Sequence, residues 1–117
     1  MNSEEYIRKV KFTEAKDFEG INERLDSVAT MRLLHASMGL STEANECLDI
    51  LKKHIYYGRP LDRPHLKEEI GDVLYYAALV LDGLGISFEE AMKDNIDKLS
   101  KRYPDGFDED KANNRGE

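Results

Sequence analysis

The sequence contains a single cysteine, Cys47, so no disulfide can form within the chain, and a reducing intracellular setting is expected. Long apolar runs are also missing. The longest run of uncharged, largely apolar residues, "VLYYAALVL" at 73–81, falls far short of the ~20 residues a membrane span needs. The opening "MNSEEYIRKVKF" has no apolar signal-peptide core, so a soluble, cytoplasmic protein is expected. No stretch alternates polar and apolar residues long enough to be read as a strand, and no internal repeat is present. Basic residues are outnumbered, with 17 Lys and Arg against 24 Asp and Glu and a net charge of −7. That balance argues against DNA or RNA polymers, whose binding rests on cationic contacts to phosphate. A small phosphate ligand stays open, because a bound divalent cation inverts the local electrostatics. The G-x-x-x-x-G-K-[ST] motif is lacking, and "GLG" at 83–85 closes a helix rather than joining strand to helix, which excludes P-loop and dinucleotide folds. No histidine follows a glutamate by three residues, which leaves a carboxylate-bridged di-iron bundle poorly supported.

What is present is helical. The 117 residues suffice for one domain, and the 40% that are hydrophobic cluster between 21 and 99. Residues 1–20 show little periodicity and read as an N-terminal segment. Ile21, Leu25, Val28, Met31 and Leu34 then recur at helical spacing, and "MGLS" at 38–41 is expected to interrupt or bend that run. A second helix is expected from Ser41 or Thr42, either a fair N-cap, to Gly58. "GRPLDRP" is a loop, with Pro64 suited to the first turn of a third helix spanning about 65–82. A fourth opens on "SFEE", where Ser87 and Glu90 form a capping box, and runs to about Arg102 before "YPDGF" stops it. The reading is all-α, of four-helix-bundle type: a helical domain over 21–103 and a polar tail over 104–117 with nothing to bury.

Within that frame the third helix carries a cost. Glu69 and Asp72 lie i, i+3, about 60° apart on the surface, and their strip continues through Tyr76 and Val80. Ionised carboxylates at the end of a packed face are unfavourable unless something pairs with them. The second helix repeats the spacing with Glu43 and Glu46, whose strip continues through Cys47 and Ile50. Four acids brought to one point repel one another unless cations lie between them, and hard oxygen ligands suit Mg²⁺ or Mn²⁺. Either pair alone is what a solvated helix face commonly shows. Two pairs on successive helices, one ahead of nine uncharged residues, favour a metal site.

On the fourth helix Asn95, Lys98 and Arg102 share a stripe with Ala91 and Leu99. They suit phosphate oxygens, although cations near a helix C-terminus also offset its dipole. His35, His54 and His65 are scattered. His54 lies seven residues after Cys47, but two soft ligands do not make a zinc site. His35 and Met31 could line a base pocket and Tyr56, Tyr57, Tyr75 and Tyr76 could stack on a base, although packing explains each more simply.

"GLSTEANE", "LKEEIGDVLYY" and "NIDKLSKRYPDGF", in that order, resemble the motifs of the MazG-like all-α nucleoside triphosphate pyrophosphohydrolases over about residues 33–107. The resemblance implies that Glu43, Glu46, Glu69 and Asp72 ligate Mg²⁺, and that Asn95, Lys98 and Arg102 contact the phosphates or support the site. It implies a bundle built from helices of two or more subunits, as a homodimer or homotetramer. The implied reaction cleaves a nucleoside triphosphate between the α and β phosphates, giving the monophosphate and pyrophosphate. For the proton of the attacking water Glu46 is the first choice and Glu43 the next. Many relatives carry a glutamate before the E-x-x-E and a glycine within it, where this chain has Thr42 and Asn45. That departure leaves the number of metals and the identity of the base open. The phosphoribosyl-ATP pyrophosphohydrolases of histidine synthesis pair similar motifs but fit the "KLSKRYP" ending less well. A helical assembly module without catalysis is the reading from another class.

Overall fold

The computed structural model describes residues 1–114, and among them every regular element is helical. They fall into two compact units, Met1–Met31 and Arg32–Glu117.

Residues 1–20, expected to show little periodicity, are largely helical. Helix α1 spans Ser3–Thr13 and α2 spans Phe18–Leu25. Tyr6, Ile7 and Val10 share one face of α1, as Phe18, Ile21 and Leu25 do of α2, and both helices have marked ends. Asn2 accepts from the Glu5 N–H and Asp17 from the Gly20 N–H, with acids in each first turn and a base in each last turn. Neither helix buries a residue. The apolar run expected to form one helix from Ile21 is also broken, at Asp26 and Ser27. The Ser27 hydroxyl oxygen accepts from the Thr30 N–H at 3.2 Å and starts the next helix afresh.

That helix, α3, spans Val28–Tyr57 without a break. "MGLS" neither ends nor restarts it, so Ser41 and Thr42 are not caps. The Thr42 hydroxyl instead donates to the Gly39 carbonyl at 3.1 Å, inside the helix. Gly39 is there for tertiary reasons: it is buried, and a Cβ at that position would collide with the Tyr76 ring.

Helix α4 spans Arg63–Leu84, with Asp62 as its N-cap and a proline in its first turn. It ends at Gly85, which takes the left-handed conformation at φ 69°, while Ile86 N–H bonds back to the Leu81 carbonyl. Ser87 caps α5, Phe88–Arg102, by accepting from the Glu90 N–H, and α5 turns 97° from α4. A short helix α6, Glu109–Asn113, lies in the segment expected to be a plain tail; Asp108 caps it. Among the described residues no single helix is long and apolar enough to cross a membrane.

Helices α3 and α4 form an antiparallel hairpin within the second unit. Arg32 pairs with Asp82 at 2.6 Å, Leu33 packs on Gly83, and Gly39 on Tyr76, so α3 climbs as α4 descends. The joining loop is closed by His54, whose Nδ1–H donates to the Arg59 carbonyl at 2.7 Å. Among the described residues Ala36, Gly39 and Ile50 on α3 are the buried ones, while Tyr76 and Val80 are half-buried. Continuing the antiparallel pairing one turn past Gly39 and Tyr76 brings Glu43 opposite Asp72.

Candidate metal centre

Glu43 from α3 meets Glu69 and Asp72 from α4, each offering an oxygen within 4.8 Å of the others. The i, i+3 spacing places the two α4 acids on one side of their helix, and the hairpin supplies the third. Glu46, i+3 from Glu43, is exposed and lies outside this trio. The structure therefore brings together three of the four acids singled out in the sequence.

Glu69 is the most enclosed, its side chain only 12% exposed. One of its oxygens, Oε1, lies 3.1 Å from the His65 Nε2. The other, Oε2, has almost no accessible surface and no hydrogen-bond partner among the described residues. A buried charged acceptor left unsatisfied is among the more expensive defects a fold can hold, so an orphan oxygen beside two further carboxylates fits a cation. The donors are all hard oxygens, the chemistry of Mg²⁺ or Mn²⁺.

Electrostatics points the same way. The Glu43 carboxyl is raised from 4.5 to about 7. The largest cause is the Glu69 carboxyl, to which a protonated Glu43 can donate a hydrogen bond. Loss of surrounding water follows, and then the negative charges of Glu69, Asp72 and Glu46. A carboxyl raised in the folded state stabilises the fold below its unfolded value and loses that contribution as pH climbs through its folded value. The metal-free protein should accordingly lose stability from this group between about pH 4.5 and about pH 7. Glu43→Gln, which cannot ionise, should melt alongside the wild type at pH 4.5 and above it at pH 8, and saturating Mg²⁺ should close the gap. Melting curves at the two pH values check this; a difference that does not change with pH would contradict it.

The other candidates fall elsewhere. Asn95 and Lys98 are exposed and Arg102 is half-buried, its guanidinium 6.0 Å from the Tyr103 ring. Among the described residues none of the three bonds to the acids. Cys47 is half-buried and does not join a metal-binding group with His54, whose Nδ1 is occupied by the loop carbonyl. His35 packs edge-on against Tyr76 at 6.2 Å, and Tyr75 against Tyr76 at 5.1 Å, which are packing roles. The residue the sequence reading passed over is His65. Its signal was available: His65 and Glu69 stand i, i+4, the spacing at which side chains on a helix meet.

The family model for the MazG nucleotide pyrophosphohydrolase domain matches residues 32–107. No curated protein and no solved structure matches the chain.

Proposed function

The chain belongs to the MazG nucleotide pyrophosphohydrolase family, and we propose that it hydrolyses nucleoside triphosphates between the α and β phosphates in a Mg²⁺-dependent reaction. The observation that carries this reading is the convergence of Glu43, Glu69 and Asp72 around an unpartnered, buried Glu69 oxygen. These three would hold the ion, with Mn²⁺ as a substitute, and Glu46 stands near enough to raise the Glu43 pKa. When bound, the metal supplies charge neutralisation and Lewis acidity at the phosphates.

The chain's own residues divide the remaining work. Water adds to the α phosphorus, the bridging P–O bond breaks, and pyrophosphate leaves with the bonding pair. Glu46, exposed and outside the trio, takes the water's proton, and Glu43 is the next choice. Asn95, Lys98 and Arg102 form the stripe that receives the phosphates, Lys98 and Arg102 stabilising charge on the departing pyrophosphate. Lys98 is exposed, so Lys98→Ala should change the stability by no more than about 0.5 kcal/mol, leaving the melting temperature nearly unchanged. It should lower kcat/KM by roughly tenfold or more, the worth of one charge-assisted contact. Equal loss of activity and stability would return Lys98 to the role of a helix-end charge.

We also read the protein as a homodimer or homotetramer. The second unit leaves large apolar side chains in water, among them Leu48 at 65%, Ile55 at 64%, Leu74 at 56% and Ile96 at 59%. So many on one small helical body are more than scattered surface residues, and further copies of the chain would cover them. Sedimentation as a monomer at tens of micromolar would rule that out.

The decisive experiment is a panel of ordinary and damaged nucleoside triphosphates incubated with Mg²⁺ and assayed for pyrophosphate against orthophosphate. Pyrophosphate together with the monophosphate, abolished by EDTA, is the expected result. Orthophosphate release, or activity indifferent to EDTA, would defeat the reading.

A further inference from the structure

His65 has no role in the reaction above, yet its ring lies at hydrogen-bond distance from the most enclosed acid of the cluster. We propose that His65 is a positioning residue: through Nε2–H it holds one oxygen of Glu69 and so presents the other to the metal. The inference rests on the metal-centre reading and concerns how that centre is kept in shape.

The chemistry of the pair fixes the direction of the bond. An ionised carboxylate only accepts, so at 3.1 Å the proton sits on Nε2 and His65 donates to Oε1. The histidine is itself tied down at the start of α4. Asp62 Oδ1 accepts from the His65 backbone N–H at 3.1 Å, and Asp62 Oδ2 lies 3.8 Å from the ring Nδ1. A chain of contacts thus runs from the N-cap through the ring to the carboxylate. With Oε1 engaged, Oε2 is the oxygen left without a partner. A ligand whose second oxygen is held loses less freedom when the metal arrives, and hydrogen bonds behind metal ligands set their orientation and basicity.

The ring's surroundings argue against a mere packing role. Its side chain is 46% exposed and borders an open cavity of about 470 Å³ under the α3–α4 loop. Trimming it removes a donor and leaves the buried residues Ala36, Gly39 and Ile50 intact.

Two amides separate donor position from bulk. Gln at position 65 carries an N–H at about the reach of Nε2, whereas Asn carries the same group one carbon short. The measurement is Mn²⁺ titration of the full, EDTA-stripped chain followed by electron paramagnetic resonance, without nucleotide. His65→Asn should bind Mn²⁺ about 10–100-fold more weakly than the wild type. His65→Gln should recover most of that loss, with the two variants melting together. Mn²⁺ binding by the Asn variant as tight as wild type, or a Gln variant as weak as Asn, would overturn the inference and leave the metal centre standing. Failure of the wild type to bind Mn²⁺ would overturn both.

Discussion

Glu69→Gln and Asp72→Asn are each expected to lower kcat/KM by at least about a hundredfold while the far-ultraviolet circular dichroism remains that of the wild type. The magnitude follows from what the carboxylates are for. Charge stabilisation by a bound metal at a phosphoryl centre is worth several kcal/mol, and about 3 kcal/mol already amounts to a hundredfold. The fold should survive because both changes preserve shape and remove repulsion. Glu69 and Asp72 are among the charges that raise Glu43, so neutralising either relieves the cluster when no metal is bound. A Gln at 69 also keeps a carbonyl oxygen for the His65 N–H. The metal-free variants should therefore melt at or above the wild-type temperature at pH 8. Kinetics with a preferred nucleotide, paired with melting curves, checks both halves. Near-wild-type turnover in either variant would remove these acids from the site.

Gly39→Ala is expected to destabilise the protein, against the helix propensity of the two residues. In mid-helix, alanine is ordinarily better than glycine by about 0.5–1 kcal/mol. Here the added Cβ would overlap Cε1, Cζ and Cδ1 of Tyr76. Overpacking of that kind costs about 1–3 kcal/mol. With collision outweighing propensity, the melting temperature should fall by roughly 5–10 °C, as a net loss of about 1–2 kcal/mol gives in a domain this small. The consequence reaches the site, because Gly39 and Tyr76 sit one turn from Glu43 and Asp72 on their respective helices. Pushing α3 from α4 at that point should separate the acids and weaken Mn²⁺ binding as well. Combining Gly39→Ala with Tyr76→Ala should recover part of the binding, since the obstructing ring is gone. A rise in melting temperature for Gly39→Ala alone would show that the ring swings aside and that the close approach does not set the helix spacing.

Much of this was legible in the chain before any fold was known. Helices α4 and α5 follow their signals: Pro64 at one start, Ser87 and Glu90 at the other, and the "GLG" whose Gly85 closes α4 in the left-handed conformation. Caps and turns act over four or five residues, so a local reading captures them. "MGLS" misled for the same reason. A glycine and a serine in a periodic run signal a break locally, yet Gly39 is kept inside α3 because a Tyr76 ring 37 positions later occupies the space of a side chain. The helices of the first unit combine caps and helix-end charges with short apolar stripes, Tyr6, Ile7 and Val10 on α1 and Phe18, Ile21 and Leu25 on α2, which the surrounding charged residues dilute.

The sequence by itself determined the all-α class, the pairing of Glu69 with Asp72 on one helix face, and the family resemblance carried by three ordered motifs. Each depends on spacing along a single chain segment, which 3.6-residue periodicity converts directly into direction. Only the tertiary structure decided that Glu43 joins that pair while Glu46 stays outside, and that Glu69 keeps one oxygen for His65 and one without a partner. Those outcomes depend on the register and separation of two antiparallel helices. Contacts between the two, such as Gly39 with Tyr76 and Leu33 with Gly83, join residues far apart in the chain, and a helix surface read alone carries no information about what another helix presents to it.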